Sequence, residues 1–216
     1  MNDRNKKRKY IFAILLSSLV LLCACTGKGN DEFETIELSE AQMESLCEQY
    51  AELDDSYEDI VPSKAMAAIK VFGIEKDGDI GYVYCYTSEG TYVKVNDKAY
   101  NISGGIGPNI LKIKFNGDDV QLIDSDNSPS SMDVLSRFPK KYRKIAEDYE
   151  ANEAYDAQSG FFRVQLEEAE KIEKFWNVEV DLAYCIDIYP NGEYEVWDFP
   201  EDETVIIESG RIDCEE

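Results

Sequence analysis

The sequence predicts an α+β domain, an antiparallel β-meander packed with helices. Three observations predict it. Alternating apolar runs separated by short polar turns crowd residues 66 to 124, the pattern of successive strands. Helical periodicity flanks that block at residues 39–54 and 130–176. Strand signals return after residue 177 as an extension of the same domain. The composition agrees: 216 residues, 44% hydrophobic and 31% charged, are a globular mixture of a length suited to one domain with an extension.

Ser39 opens the first helix. Ser39 and Gln42 form a capping-box pair, and Met43, Leu46, Cys47, Tyr50 and Leu53 recur on one face. The helix is expected to end near Asp54-Asp55, before Pro62. Ala67 to Glu75 is the first strand, and Lys76-Asp77-Gly78-Asp79 the first hairpin turn. Ile80 to Thr87 alternates cleanly. Tyr92–Val95 and Lys98–Ile102 flank Asn96-Asp97. Ile110–Phe115 and Val120–Asp124 flank Asn116-Gly117, the strongest hairpin signal in the chain. Between these hairpins, Ser103-Gly104-Gly105-Ile106-Gly107-Pro108 reads as a turn or bulge. It stands between strands, not at a helix start, and lacks dinucleotide spacing.

Ser130 or Ser131 caps a helix carrying Val134, Leu135 and Phe138. Pro139 begins a second, with Tyr142, Ile145 and Tyr149. A third helical stretch, Phe161 to Trp176, aligns Phe162, Leu166, Ala169, Ile172 and Trp176. The tail reads as strands at Ala183–Tyr189, Glu193–Asp198 and Thr204–Glu208. The whole corresponds to a twisted antiparallel sheet with helices on one side, a cystatin-like or NTF2-like roll, plus a C-terminal β-hairpin extension.

The first 24 residues read as an address. Arg4, Lys6, Lys7, Arg8 and Lys9 precede an apolar run from Ile11 to Leu22. As a helix those twelve residues rise about 18 Å, short of the hydrocarbon core of a bilayer. A basic start followed by a short apolar stretch is a secretion signal. It ends in Leu22-Cys23-Ala24-Cys25, which resembles the bacterial lipobox, whose cysteine carries diacylglycerol and becomes the first residue. Cys25 fits, with the small Ala24 before the cut. The expected organisation is a signal peptide at 1–24, a tether at 25–38, the α+β domain at 39–176 and its β extension at 177–216. The expected location is the extracytoplasmic face of the cell membrane.

Charge and composition exclude several function classes. The chain has 45 acidic and 22 basic residues and no histidine, a net charge of −23. Without histidine there is no Ser-His-Asp triad, Cys-His dyad, zincin or histidine-ligated haem. Such acidity argues against nucleic acid, which demands a basic stripe. Removing residues 1–24 takes away five basic groups and one acid, leaving 17 basic and 44 acidic residues and a charge of −27. The partners this suits are a bilayer reached through the acylated Cys25 and a protein, peptide or cationic ligand.

No cofactor or metal is expected. Asp124-Ser125-Asp126-Asn127-Ser128 superficially suggests a calcium loop, but Pro129 and Leu135 stand where that loop needs Gly and Glu. Asp54, Asp55, Glu58 and Asp59 read as a solvated helix end. Lys140, Lys141, Arg143 and Lys144 form the one dense basic patch of the body, expected to be neutralised locally. Glu167, Glu168, Glu170 and Glu173 read as an exposed helical face. Cys47, Cys85, Cys185 and Cys214 permit two disulfides in three connectivities, or remain thiols. The candidate binding face is Tyr82, Tyr84 and Tyr86. Alternation places all three on one side of a strand, opposite Val83 and Cys85, and tyrosine concentrates in binding sites.

The order of motifs from Ala68 to Tyr142 adds a resemblance. Val71-Phe72-Gly73 precedes a charged turn and Tyr82-Val83-Tyr84-Cys85-Tyr86. Asn101 to Pro108 follows, then Val120 to Asp124, then Phe138-Pro139-Lys140-Lys141-Tyr142. This resembles a group of uncharacterised extracytoplasmic domains of Gram-positive bacteria. Some are stand-alone surface lipoproteins, and similar ones are appended to antirepressor metallopeptidases of the beta-lactam-sensor type. The resemblance covers about half of the mature chain and stops before the β tail. It implies a membrane-tethered sensing or accessory module and brings no catalytic residues. The function expected is therefore non-catalytic binding. The alternatives are a carboxylate-dependent cell-wall hydrolase, or an assembly or chaperone-like factor at the membrane surface.

Overall fold

Four strands joined by three two-residue turns form the centre of the molecule. The computed structural model describes residues 36–51, 63–126, 131–198 and 205–212. The expected signal peptide, Cys25, the acidic run after Leu53, Ser130 and Cys214 lie outside the described residues. The helices are α1 (Glu40–Ala51), α2 (Ser131–Arg137), α3 (Lys140–Asn152) and α4 (Arg163–Trp176). The meander comprises β1 (Ser63–Asp77), β2 (Ile80–Val95), β3 (Lys98–Asn116) and β4 (Asp119–Asp126). A short hairpin, β5 (Tyr155–Asp156) and β6 (Phe161–Phe162), leads into α4. The tail holds β7 (Glu179–Asp181), β8 (Cys185–Ile188), β9 (Glu193–Asp198) and β10 (Val205–Arg211). The fold is α+β, with a mostly antiparallel sheet curled into a half-barrel.

The turns work as their residues dictate. Gly78, Asn96 and Gly117 each take positive φ at the first turn position, +63°, +55° and +70°. Glycine and asparagine tolerate that region, and it lets strands reverse in two residues. The strand order is β1-β2-β3-β4, and β7 joins β3 in parallel at Lys98–Tyr100, a stretch that β4 does not reach. At the start of α1 the Ser39 hydroxyl accepts from the Gln42 amide N–H, and the Gln42 side chain accepts from the Ser39 N–H, the reciprocal capping box.

Strand length departs from expectation. β2 and β3 are continuous where the sequence reads as two strands each. Ser103 to Gly107 pairs with Thr91 to Thr87, so the glycine-rich segment is strand, not turn. A one-residue bulge lies next to it at Ile102. Pro108 is accommodated because the β3–β4 pairing ends at Ile110 and Asp126, and among the described residues no strand pairs with its far side.

Both faces of the curled sheet are covered. On one, α1 sets Leu46, Cys47 and Tyr50 against Val83, Cys85, Leu111 and Ile113. Further along the same face, β8 and β9 place Ile186, Tyr194 and Val196 on Val93, Val95 and Tyr100. On the other face α2, α3 and α4 lie in succession along β2. The expectation of helices on one side only is thus corrected, since β2 is apolar in both alternation phases and needs two covers. Ile36 and Leu38 also pack on the α1 core, so the expected tether is part of the domain by residue 36. In the tail, β10 is the outer strand of the order β10-β9-β8, with Val205, Ile206 and Ile207 exposed. Among the described residues no helix is long and apolar enough to cross a membrane.

Candidate functional site

Alternation along β2 does place Tyr82, Tyr84 and Tyr86 on one face, and the structure then covers two of them. Tyr82 is 37% exposed, Tyr84 8% and Tyr86 5%. Tyr84 stacks on Tyr142 and meets Phe138 edge-on, both with ring centroids 5.3 Å away, and its hydroxyl donates to Glu75 at 3.2 Å. Tyr86 contacts Tyr149 and Phe162 at 5.8 and 6.4 Å. Burial pushes both phenols up, that of Tyr86 to about 12. Of the three expected to form a binding face, Tyr84 and Tyr86 are core and Tyr82 is the exposed one. The helices of residues 131–176 form the cover, while the β tail lies on the opposite face.

Glycine makes the aromatic packing possible. β1 bulges at Phe72, between the Val71–Cys85 and Gly73–Tyr84 pairs. Phe72 thereby packs 5.5 Å from Tyr149. A β-carbon on Gly73 would sit 1.9 Å from the Tyr142 ring.

A second glycine pair, Gly90 opposite Gly104, thins the sheet at its middle. Glu168 of α4 fills the space: a β-carbon on Gly90 would sit 2.2 Å from the Asn101 amide nitrogen and 2.4 Å from Glu168 Oε1. Glu168 is 1% exposed and accepts a 2.6 Å hydrogen bond from the Tyr92 hydroxyl, while its Oε2 has no hydrogen-bond partner among the described residues. Burial raises its carboxyl to about 7, and the charge of Glu89 adds to the rise, against the pull of the Ser88 and Tyr92 hydroxyls and Lys171. On the opposite face of β2 the Tyr50 hydroxyl donates to Glu89 at 3.1 Å, accepts from Asn109 at 2.9 Å and lies 3.3 Å from Thr87. The sequence reading placed Glu168 on an exposed charged face. The signal it overlooked is the four-residue step Val164, Glu168, Ile172, which sets the acid within the buried stripe.

An open cleft of about 420 Å³ lies where the described chain begins. Its walls are Ile36, Leu38 and Met43 on one side and Ile69, Val71 and Ile74 of β1 on the other. Lys70 and Glu37 supply charge at its boundary. The start of α3 lies against this stretch of β1, with Lys141 3.6 Å from Glu75 and Tyr142 over Gly73. Of the basic patch, Lys141 pairs with Glu75, and Arg143 donates to the carbonyls of Ser136 and Phe138. Lys140 and Lys144 are exposed.

Cys47 and Cys85 are buried free thiols in the α1 core, both pushed up by burial, and Cys185 is an exposed free thiol. Among the described residues no group of three Cys, Asp or Glu side chains is placed to hold a metal ion. Comparison with protein-family models, curated proteins and solved structures finds no match to this chain.

Proposed function

We propose that this protein is a membrane-anchored extracytoplasmic lipoprotein, a non-catalytic binding or sensing module whose ligand seat is the cleft beside β1. The observation that carries the anchoring is Leu22-Cys23-Ala24-Cys25 behind a basic and then apolar start. The cleft supports binding because its walls are mostly apolar and largely preformed by core residues, as small-ligand sites generally are. Intact mass of the protein recovered from membranes tests the anchor. A chain beginning at Cys25 with added diacylglycerol is expected, and Cys25→Ser should abolish both cleavage and lipid. An uncleaved, unlipidated wild-type chain would remove the membrane assignment.

One observation favours a hydrolase, namely the Glu168 carboxyl raised to about 7, a value suited to a general acid. Its 1% exposure opposes that role, since a wall polymer has no direct path to it. Glu168→Gln separates the readings: a hydrolase loses release of soluble wall fragments, and a binding module has none to lose.

A further inference from the structure

We propose that α4 is a pH-operated cover on the meander, held down by the neutral form of Glu168 and let go when that side chain ionises. This device goes beyond the binding module proposed above and depends on neither its anchor nor its ligand seat.

The packing of α4 sets it up. The helix buries four side chains, Val164, Glu168, Ala169 and Ile172, so an acid stands between its two large aliphatic anchors. Among the described residues Glu168 is the one buried side chain with an ionisable acid, since the other buried polar ones are Thr87, Ser88, Thr91 and Asn109. Its seat is the hollow left by Gly90, where that glycine faces Gly104 across the β2–β3 pair.

The groups around the carboxyl decide which protonation state fits. From β2 come the hydroxyls of Ser88 and Tyr92 and, from the far side of the thinned sheet, the charge of Glu89. β3 brings the Asn101 amide to the same hollow. On α4 itself Lys171 favours the anion, but its ammonium donates to the Ala67 carbonyl at 2.6 Å. The other neighbours of the helix are apolar or phenolic: Met66 and Ala68 of β1, Ala99 of β3, Tyr149 of α3, Phe162 of β6 and Val180 of β7. Among the described residues Glu168 forms no ion pair, and its Oε2 accepts no hydrogen bond. An anion so placed leaves a charged oxygen in an apolar medium with a second carboxylate across the sheet. The neutral acid fits the seat and the anion does not, and the carboxyl is held up at about 7.

Two features direct the response to α4. Among the described residues two side chains of the helix bond to the meander, Glu168 to β2 and Lys171 to β1. At its C-terminal end Asn177 takes the left-handed region, φ +53°, as a one-residue joint to β7. Ionised, Glu168 reaches water only if α4 moves off β2, an opening smaller than unfolding of the domain. Linkage fixes the sign. The closed form holds the proton above the ordinary 4.5, so the cover is firmest below about pH 4.5 and loosens as pH climbs through 7. Let go, α4 uncovers Tyr92 and Ala99, both 0% exposed in the closed form.

The test is hydrogen exchange of the full chain, purified in dodecyl maltoside, read by peptide mass spectrometry at about pH 5.5 and about pH 8 after correction for intrinsic rates. Peptides from residues 163–176 should lose protection about tenfold or more at the higher pH. Those from the centre of the β2–β3 pair, residues 81–86 and 109–114, should keep theirs. Glu168→Gln, uncharged and of the same shape, should hold α4 protection constant across that range. Glu170→Gln, on an exposed acid of the same helix, should respond as wild type does. Carboxyl carbon shifts of isotope-labelled glutamate in wild type give a readout that needs no variant: one glutamate should titrate near pH 7, where the loss of protection levels off. Protection of α4 that ignores pH, a loss shared equally by every peptide, a response retained in Glu168→Gln, or no glutamate titrating above about pH 6 would overturn the proposal.

Discussion

The two faces of β2 are covered by different chemistry. On the α1 face Leu46 packs on Val83, Leu111 and Ile113 as plain aliphatic contacts that simple alternation suffices to build, with the hydrogen-bonded Tyr50 beside them. On the α2–α4 face the contacts are aromatic rings set edge-on or stacked, with a buried carboxyl further along. That face needs shape as well as polarity: Gly73 admits the Tyr142 ring and Gly90 admits Glu168. The difference teaches that one strand can carry a forgiving core and an exacting one, back to back.

The largest effect should separate neighbours on the exacting face. Tyr84→Ala is expected to cost about 3–5 kcal/mol, as removal of a buried aromatic does. Tyr82→Ala, two residues away and 37% exposed, should cost within about 0.5 kcal/mol. Equal losses in urea denaturation would break the comparison.

Glu168 gives the next effect, and it depends on pH. Its folded carboxyl titrates near 7, above the ordinary 4.5. A raised folded pKa means stability that is complete below about pH 4.5 and is lost as pH climbs through 7, with a loss on the order of 3 kcal/mol. Glu168→Gln keeps an acceptor for Tyr92 and carries no charge. The variant should match wild type near pH 5 and exceed it near pH 8 in denaturation midpoint. A gap that stays constant with pH would show that Glu168 does not carry this titration.

Gly73→Ala sharpens the contrast in shape. It should cost about 1–3 kcal/mol by overpacking Tyr142. Gly107→Ala, where a β-carbon meets nothing within 4 Å, should be close to neutral. The smallest loss expected of a structural contact belongs to the forgiving face: Ser39→Ala removes half of the capping box of α1 and should cost about 1 kcal/mol, read as a lowered melting temperature.

Local chemistry was legible in the sequence, and coverage was not. The Ser39–Gln42 box, the turns at Gly78, Asn96 and Gly117, the helix after Pro139 and the three tail strands stand where short-range rules put them. Ser103 to Gly107 misled because glycine signals turns, while here its lack of a side chain lets Gly104 lie against the Glu89 backbone, where a β-carbon would come within 2.3 Å. For the tyrosines, alternation correctly gave a shared face. Which segment lies over that face depends on contacts between residues some fifty positions apart, such as Tyr84 with Phe138, and periodicity carries no information about them. The cleft depends equally on a distant meeting, Ile36 and Leu38 against β1.

The outer strand of the small sheet carries a consequence for the protein at high concentration. Val205, Ile206 and Ile207 are a β-branched run exposed on a strand whose far side no described strand pairs. Such an edge is a template for intermolecular growth, the step that begins fibrils and precipitates. At neutral pH two copies approach with a charge of −23 each, and mutual repulsion keeps the edges apart. The sequence reaches zero charge near pH 4.3, and there that colloidal protection vanishes while the sticky edge remains. Acidity of the surroundings thus sets how densely this protein can be crowded before it clumps.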